Sequence, residues 1–227
     1  MAARGRADVG GRVLDAATDL LLRYGYDRTT LDDVARAAGI SKSTVYQRWG
    51  AREALFVAVL RRERETLHRR VHEEIAAVDG PVDLRHLVAA QVRAYQQRPL
   101  MAAVLLLDRE VLGRLAATAE HDPQPRDGSV ALIDRLRGAG LLRADRTLPE
   151  LVAVLGAVFH GYFVTAALIP EPLHLPAAAA PELLADTVHR AFARAEPLAP
   201  DETAALDAAI RAHVSTAADP GGRGEQP

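Results

Sequence analysis

The chain predicts an all-α fold, and three observations lead there. Apolar residues recur at three- and four-residue spacings over most of the 227 positions, which is the helical period. No segment shows the two-residue alternation of a half-buried strand. The breaks between periodic stretches carry Pro or Gly: Arg98–Pro99, DPQPRDG at 122–128, GAG at 138–140 and PEPLHLPAAAAP at 170–181. Such residues punctuate helices. The architecture they imply is an N-terminal helix-turn-helix domain joined by a long helix to a helical bundle.

Residues 1–10 read as a flexible, slightly basic arm, without the apolar core of a secretory leader. Val13, Ala17, Leu20, Leu21 and Tyr24 then line one face of a first helix, and Gly25 ends it. Thr30 suits an N-cap, with Asp33 at the third helical position completing a capping box. Val34, Ala37 and Ala38 supply the apolar stripe of this second helix. Gly39 fits the left-handed position that stops it. Ile40 is the hinge, Ser41 caps a third helix, and Val45 and Trp49 face inward from it. Lys42, Ser43, Thr44, Tyr46, Gln47 and Arg48 are then left pointing outward. A tight helix–turn–helix of this kind places its second helix in the major groove of duplex DNA.

Residues 51–78 form a long helix with Phe56, Leu60, Leu67, Val71 and Ile75 on one side. At 1.5 Å per residue it reaches about 40 Å, the length of a strut between two parts of a molecule, before Gly80 and Pro81 stop it. Helical patterns follow at 83–98, 99–119, 129–139, 150–169, 181–195 and 201–215, and a disordered tail is expected from Ala217. The domains read as 11–60 for DNA binding and 61–216 for ligand binding and dimerisation, with 217–227 as tail.

The charge follows the same division. Residues 1–70 hold 14 Arg and Lys against 9 Asp and Glu, and residues 71–227 hold 14 against 21. Positive potential is thereby concentrated on the N-terminal part, as phosphate binding requires. Thr30, Tyr46 and Arg52 are the candidate phosphate contacts, through hydroxyls, helix N-terminal amides and a cation. Lys42, Thr44 and Gln47 are the candidates for base edges, matched to guanine, thymine and adenine. Arg48 suits either, and Ser41 and Ser43 complete the candidate DNA-binding set.

From Val13 to Leu60 the chain resembles the tetracycline-repressor (TetR) family. The resemblance rests on the first helix ending in RYGYDRTT, the AGIS turn, STVY, Trp49, and the REALF opening of the long helix. Two positions depart from the family pattern. Ser43 stands where glycine is frequent, which bears on the bases approached, and Arg52 stands where lysine is usual, which keeps the charge. The resemblance implies a C-terminal domain that binds a small molecule, and a four-helix dimer interface built from the last two main helices.

A single recognition helix touches too few base pairs for useful specificity, so a homodimer on a palindromic double-stranded DNA operator is expected. In helices 150–169 and 181–195, Ala153, Gly156, Ala157 and Gly161 allow close approach, while Phe159, Phe163, Val188 and Phe192 add apolar area. The competing reading is that these helices fill the core of one chain. For a small-molecule effector, Gln91 and Tyr95 share the inward stripe of helix 83–98 with Leu84, Leu87 and Val88. Met101, Leu105, Asp108, His160 and Phe163 are expected to line the same pocket.

Residues 151–169 carry no formal charge over 19 positions, long enough to span a membrane. The bracketing Pro149 and Pro170 and the polar His160, Tyr162 and Thr165 favour a buried interface helix instead, so no membrane partner is expected. Zero cysteine is compatible with a reducing cytoplasm, the expected location, with nucleoid association when bound to DNA. No GxSxG, Walker loop or dinucleotide fingerprint occurs, so neither enzyme activity nor a cofactor is expected. His68 and His72 have metal-ligand spacing beside Glu73 but lack a third ligand, so no metal site is expected. Three functions remain open: a ligand-released repressor, a regulator of the same fold that lacks ligand control or activates, and a helical binding module without DNA function.

Overall fold

The computed structural model describes residues 2–116, 124–166, 168–173 and 175–218. Among them the α-helices run in order: α1 (Ala2–Tyr24), α2 (Leu31–Ala38), α3 (Lys42–Trp49), α4 (Arg52–Ala76), α5 (Leu84–Gln96), α6 (Pro99–Leu105), α7 (Arg109–Leu112), α8 (Gln124–Gly138), α9 (Leu148–Ala166), α10 (Ala180–Phe192) and α11 (Pro200–Ala218). No strand occurs among the described residues. The all-α expectation holds.

Several boundaries differ from the sequence reading. α1 starts at Ala2, so the expected arm is helical from that residue, its Ala and Arg being good helix formers that carry Gly10 and Gly11. α8 starts at Gln124, with Pro125 in its first turn where a proline needs no amide hydrogen. The expected helix 99–119 is interrupted after α6, where Leu107 takes a left-handed φ of 50° and Asp108 caps α7; residues 117–119 of that expectation lie outside the described residues. α11 continues to Ala218, and the rest of the expected tail also lies outside them.

The chain divides into two compact units, Met1–Glu65 with Arg98–Asp122, and Thr66–Gln97 with Pro123–Pro227. α4 contributes residues to both. The boundary read near residue 60 gave no sign that α6 and α7 return to the first unit.

In the first unit, Val13, Ala17 and Leu21 of α1 pack with Val34 of α2, Val45 of α3 and Leu55, Phe56 and Val59 of α4, all essentially inaccessible to solvent. Each Val, Leu or Phe among them contributes about 1.5–3 kcal/mol. The Tyr26 ring meets Phe56 edge-on at 5.2 Å. α7 docks on the turn after α1, where the Tyr26 amide donates to the Val111 carbonyl at 2.8 Å. Glu63 is buried and compensated: its carboxylate lies 3.3 Å from Arg98 and 3.5 Å from Arg62.

In the second unit, α5 and α10 form the most extensive helix pair, through Leu87, Val88 and Val92 on one side and Leu184, Ala185, Val188 and Phe192 on the other. α8 packs with both α9 and α11, with Leu136, Ile210 and Val214 buried. Arg93 bridges Glu74 at 2.7 Å and Glu182 at 2.9 Å. Arg211 donates to the Ile75 carbonyl at 3.0 Å and pairs with Asp207, which accepts from the Val82 amide at 2.8 Å.

Candidate nucleic-acid interface

The two short helices are set by their caps. Thr30 accepts from the Asp33 amide, and Asp33 accepts from the Thr30 amide, both at 3.2 Å. The Thr30 hydroxyl, which also donates to the Asp33 carboxylate, and then the Thr30 amide hold that carboxyl below its ordinary range, because both bonds favour the charged form. Gly39 ends α2 at φ 66°, a conformation that costs a side chain but not glycine. Ser41 then caps α3 by accepting from the Thr44 amide at 3.2 Å, and its hydroxyl lies 2.8 Å from those of Ser43 and Thr44. One buried residue, Val45, anchors α3 to the domain.

That anchoring leaves Ser41, Lys42, Ser43, Tyr46, Gln47 and Arg48 exposed, with Thr44 intermediate and Thr30 exposed beside them. Tyr46 is 43% exposed, far more than a core tyrosine, and its hydroxyl is the kind of donor that meets phosphate. The Lys42 ammonium lies 5.6 Å from the Tyr46 ring and 2.7 Å from Asp32 of α2. The hydrogen bond that Lys42 donates to the Asp32 carboxylate raises the Lys42 pKa. The Arg48 guanidinium sits 5.2 Å from the Trp49 ring and against α1 at Gly10, where a β-carbon would lie 2.7 Å from its Nη2.

Arg52 is engaged within its own chain. Its guanidinium stacks 3.9 Å from the centre of the Tyr26 ring and donates to the Tyr26 carbonyl at 2.8 Å. The side chain is only 27% exposed and lies 3.9 Å from Asp27. It braces the start of α4 against the α1–α2 turn, a role the sequence reading did not name beside the expected phosphate contact. Asp32, Gly10 and Tyr26 were missed. Asp32 left no local signal, since its pairing with Lys42 ten residues on depends on how α2 and α3 cross.

The expected ligand pocket is brought together only in part. Within the second unit, Tyr95 lies 5.7 Å from Phe159 and 5.8 Å from Phe163, and Tyr162 lies 4.9 Å from Phe163. Gln96 donates to the Tyr162 hydroxyl at 2.9 Å, a polar member the sequence reading did not name. Gln91 is half-buried on α5. His160 is exposed, with Nδ1 at 3.1 Å from the Gly156 carbonyl of its own helix, so it is corrected from the pocket lining. Asp108 is corrected too: it caps α7, accepting from the Glu110 and Val111 amides at 2.9 and 3.3 Å. Asp108, Met101 and Leu105 belong to the first unit, and Met101 is buried there. A shallow cleft of about 280 Å³ opens elsewhere in the second unit, among Leu84, Leu142, His189 and Leu206, and includes none of the named residues.

The expected dimer residues separate into two sets. Ala153 and Ala157 of α9 are exposed and Gly156 and Gly161 partly so, and a β-carbon at either glycine would meet nothing within 4 Å. Phe159, Val188 and Phe192 are corrected: all three are buried in their own chain's core, Phe159 of α9 beside Tyr95 of α5 and the other two on the ridge of α10 that meets α5.

Residues 13–59 match the family model described as bacterial regulatory proteins, tetR family. The uncharacterized HTH-type transcriptional regulator Rv2250c of Mycobacterium tuberculosis (strain ATCC 25618 / H37Rv) is 47% identical over 55 residues, covering 24% of this chain and 29% of that protein. The chain therefore spans less than a third of that relative's length. Among solved structures, the SmeT–triclosan complex aligns with a TM-score of 0.60 at 20% identity, over 84% of this chain and 99% of that one. FadR from Bacillus subtilis, in complex with stearoyl-CoA, aligns with a TM-score of 0.59 at 12% identity, over 78% and 96%. At these identities the two structures share the fold.

Proposed function

We propose, from the match of residues 13–59 to the tetR family model, that the chain is a DNA-binding transcriptional regulator, a homodimeric repressor of a palindromic operator that a small organic ligand releases. The observation that carries this reading is the exposed face of α3. Five polar or cationic side chains, Lys42, Ser43, Tyr46, Gln47 and Arg48, stand out from a helix held by a single buried valine. Side chains in that array suit phosphates at the periphery and base edges at the centre.

Two recognition helices of a dimer would lie roughly 34–36 Å apart to meet successive major grooves. The apolar α9 supports the pairing, because its Val154 and Val164 are exposed on the isolated chain, and exposed apolar surface favours burial against a partner. A ligand in the second unit would favour an arrangement incompatible with that spacing, with α4, continuous from Arg52 to Ala76, as the proposed lever. By linkage, DNA then weakens ligand binding by the same factor. The rings of Tyr95, Phe159 and Phe163 support an apolar ligand class, and the structural neighbours bound to triclosan and stearoyl-CoA make these reasonable first probes.

The test is selection from a random duplex library followed by footprinting. Protection of a site with two-fold symmetry, relieved by an apolar small molecule, is the expected result. Enrichment of no duplex at modest ionic strength overturns the DNA-binding reading, and equal ligand affinity with and without the selected duplex overturns release by ligand.

A further inference from the structure

The only lysine in the chain, Lys42, stands at the first position of α3, and it does not stand free. Its Nζ is 2.7 Å from Asp32 Oδ2, across from the second position of α2, and 5.6 Å from the Tyr46 ring. Both partners of the ion pair are about half exposed. An exposed ion pair contributes little to stability, about 0–1 kcal/mol, so the contact has small structural value. A carboxylate beside a phosphate-facing helix also opposes DNA binding as such, because it repels the backbone charge.

We infer that Asp32 is a specificity-determining positioning residue: it holds the Lys42 ammonium against the Tyr46 ring and neutralises it toward phosphate, so that the lysine contributes to selected base sequences rather than to any duplex. The inference rests on the DNA-binding reading above. Two effects combine. A lysine side chain carries about 2 kcal/mol of rotamer entropy, and fixing it beforehand lowers the cost of using it at one defined site. Pairing also removes one free cation from the set that draws in any phosphate. Each phosphate neutralised steepens the dependence of log affinity on log salt by about 0.9. Of an ammonium's three donors, one faces Asp32, and the other two remain for an acceptor on a guanine edge.

The measurement is a double-mutant cycle with the full-length chain, on a duplex enriched from a random library and on a duplex of random sequence. Asp32→Asn is expected to raise affinity for the random duplex by about fivefold to tenfold at 0.1 M salt and to steepen its salt slope by about 0.9. The enriched duplex gains less, so the specificity ratio falls. Asp32→Glu, which keeps the anion, retains most of the ratio. In a Lys42→Ala background, Asp32→Asn is expected to change the ratio by less than about twofold, since the residue acts through the lysine. An unchanged ratio in the Asp32→Asn variant, or an undiminished effect in the Lys42→Ala background, overturns the assignment. A wild-type chain that retards neither duplex overturns the DNA-binding reading instead, and Asp32's role with it.

Discussion

The carbonyl oxygen of Glu110 occupies the space that a β-carbon on Gly25 would need, 2.3 Å from where that atom would stand. Gly25 itself has φ 75°. The α1–α2 turn thus requires glycine twice over, once for its backbone angle and once for the approach of α7.

Gly25→Ala is therefore expected to destabilise the first unit by more than about 2 kcal/mol, since the left-handed angle alone costs about 1–2 kcal/mol and the obstructing atom is backbone. Gly39 gives the control. It has a similar φ of 66° but nothing within 4 Å of a β-carbon, so Gly39→Ala should cost only the angular part. Urea unfolding of both variants checks the difference. Equal losses would mean that α7 does not hold the turn.

Arg52 tests the difference between bracing and phosphate contact. Arg52→Ala removes a stacked cation and a hydrogen bond to Tyr26, and a loss of about 1–2 kcal/mol in stability is expected. Its DNA affinity, measured well below the melting temperature, should keep the wild-type salt slope. A slope flatter by about 0.9 with unaltered stability would favour the phosphate role.

These two cases mark where the sequence was legible. The caps Thr30 and Ser41, the Asp33 box and the Gly39 stop were all readable, because each is decided within four residues of chain. The outward set on α3 followed from reading Val45 and Trp49 as its inward pair, of which Val45 is buried and Trp49 half-buried. The bracing role of Arg52 was not legible because its partner, Tyr26, is 26 positions away, and nothing local announces a stacked guanidinium. Asp108 was misread for the opposite reason: without Gly or Pro near it, the break at Leu107 left no mark, so a capping aspartate was taken for a pocket residue. Phe159, Val188 and Phe192 show a third limit. Apolar periodicity identifies a buried face without saying whether the same chain or another covers it.

Acidification should weaken the fold through His213. Burial, with Arg135 nearby, pushes its pKa below the ordinary value, so the folded state favours the neutral ring. A group depressed on folding contributes stability fully above its unfolded pKa, near 6.5. That contribution is lost as pH falls through the lower folded value. His189 shifts in the same direction, by burial and then Arg85. Unfolding free energy is therefore expected to decline from pH 7.5 to 5, and His213→Gln should decline less. Parallel pH profiles for the two proteins would exclude His213 as a source.

The strongest demand on the dimer reading falls on α9. Val164 is 47% exposed and Val154 37%, and Ala157 between them is exposed as well. A charge at Ala157 or Val164 meets solvent in the isolated chain but would be buried without a counter-ion between two copies. Ala157→Glu and Val164→Glu should therefore leave the helical content of the single chain intact while halving the mass seen in light scattering, to 24.4 kDa. Phe192→Ala, on α10 but inside the core, should do the reverse, costing about 3–5 kcal/mol of stability without changing the mass of the folded fraction. A wild-type chain that stays monomeric at micromolar concentration removes α9 from the interface altogether, and a palindromic operator would then lack its two-fold reader.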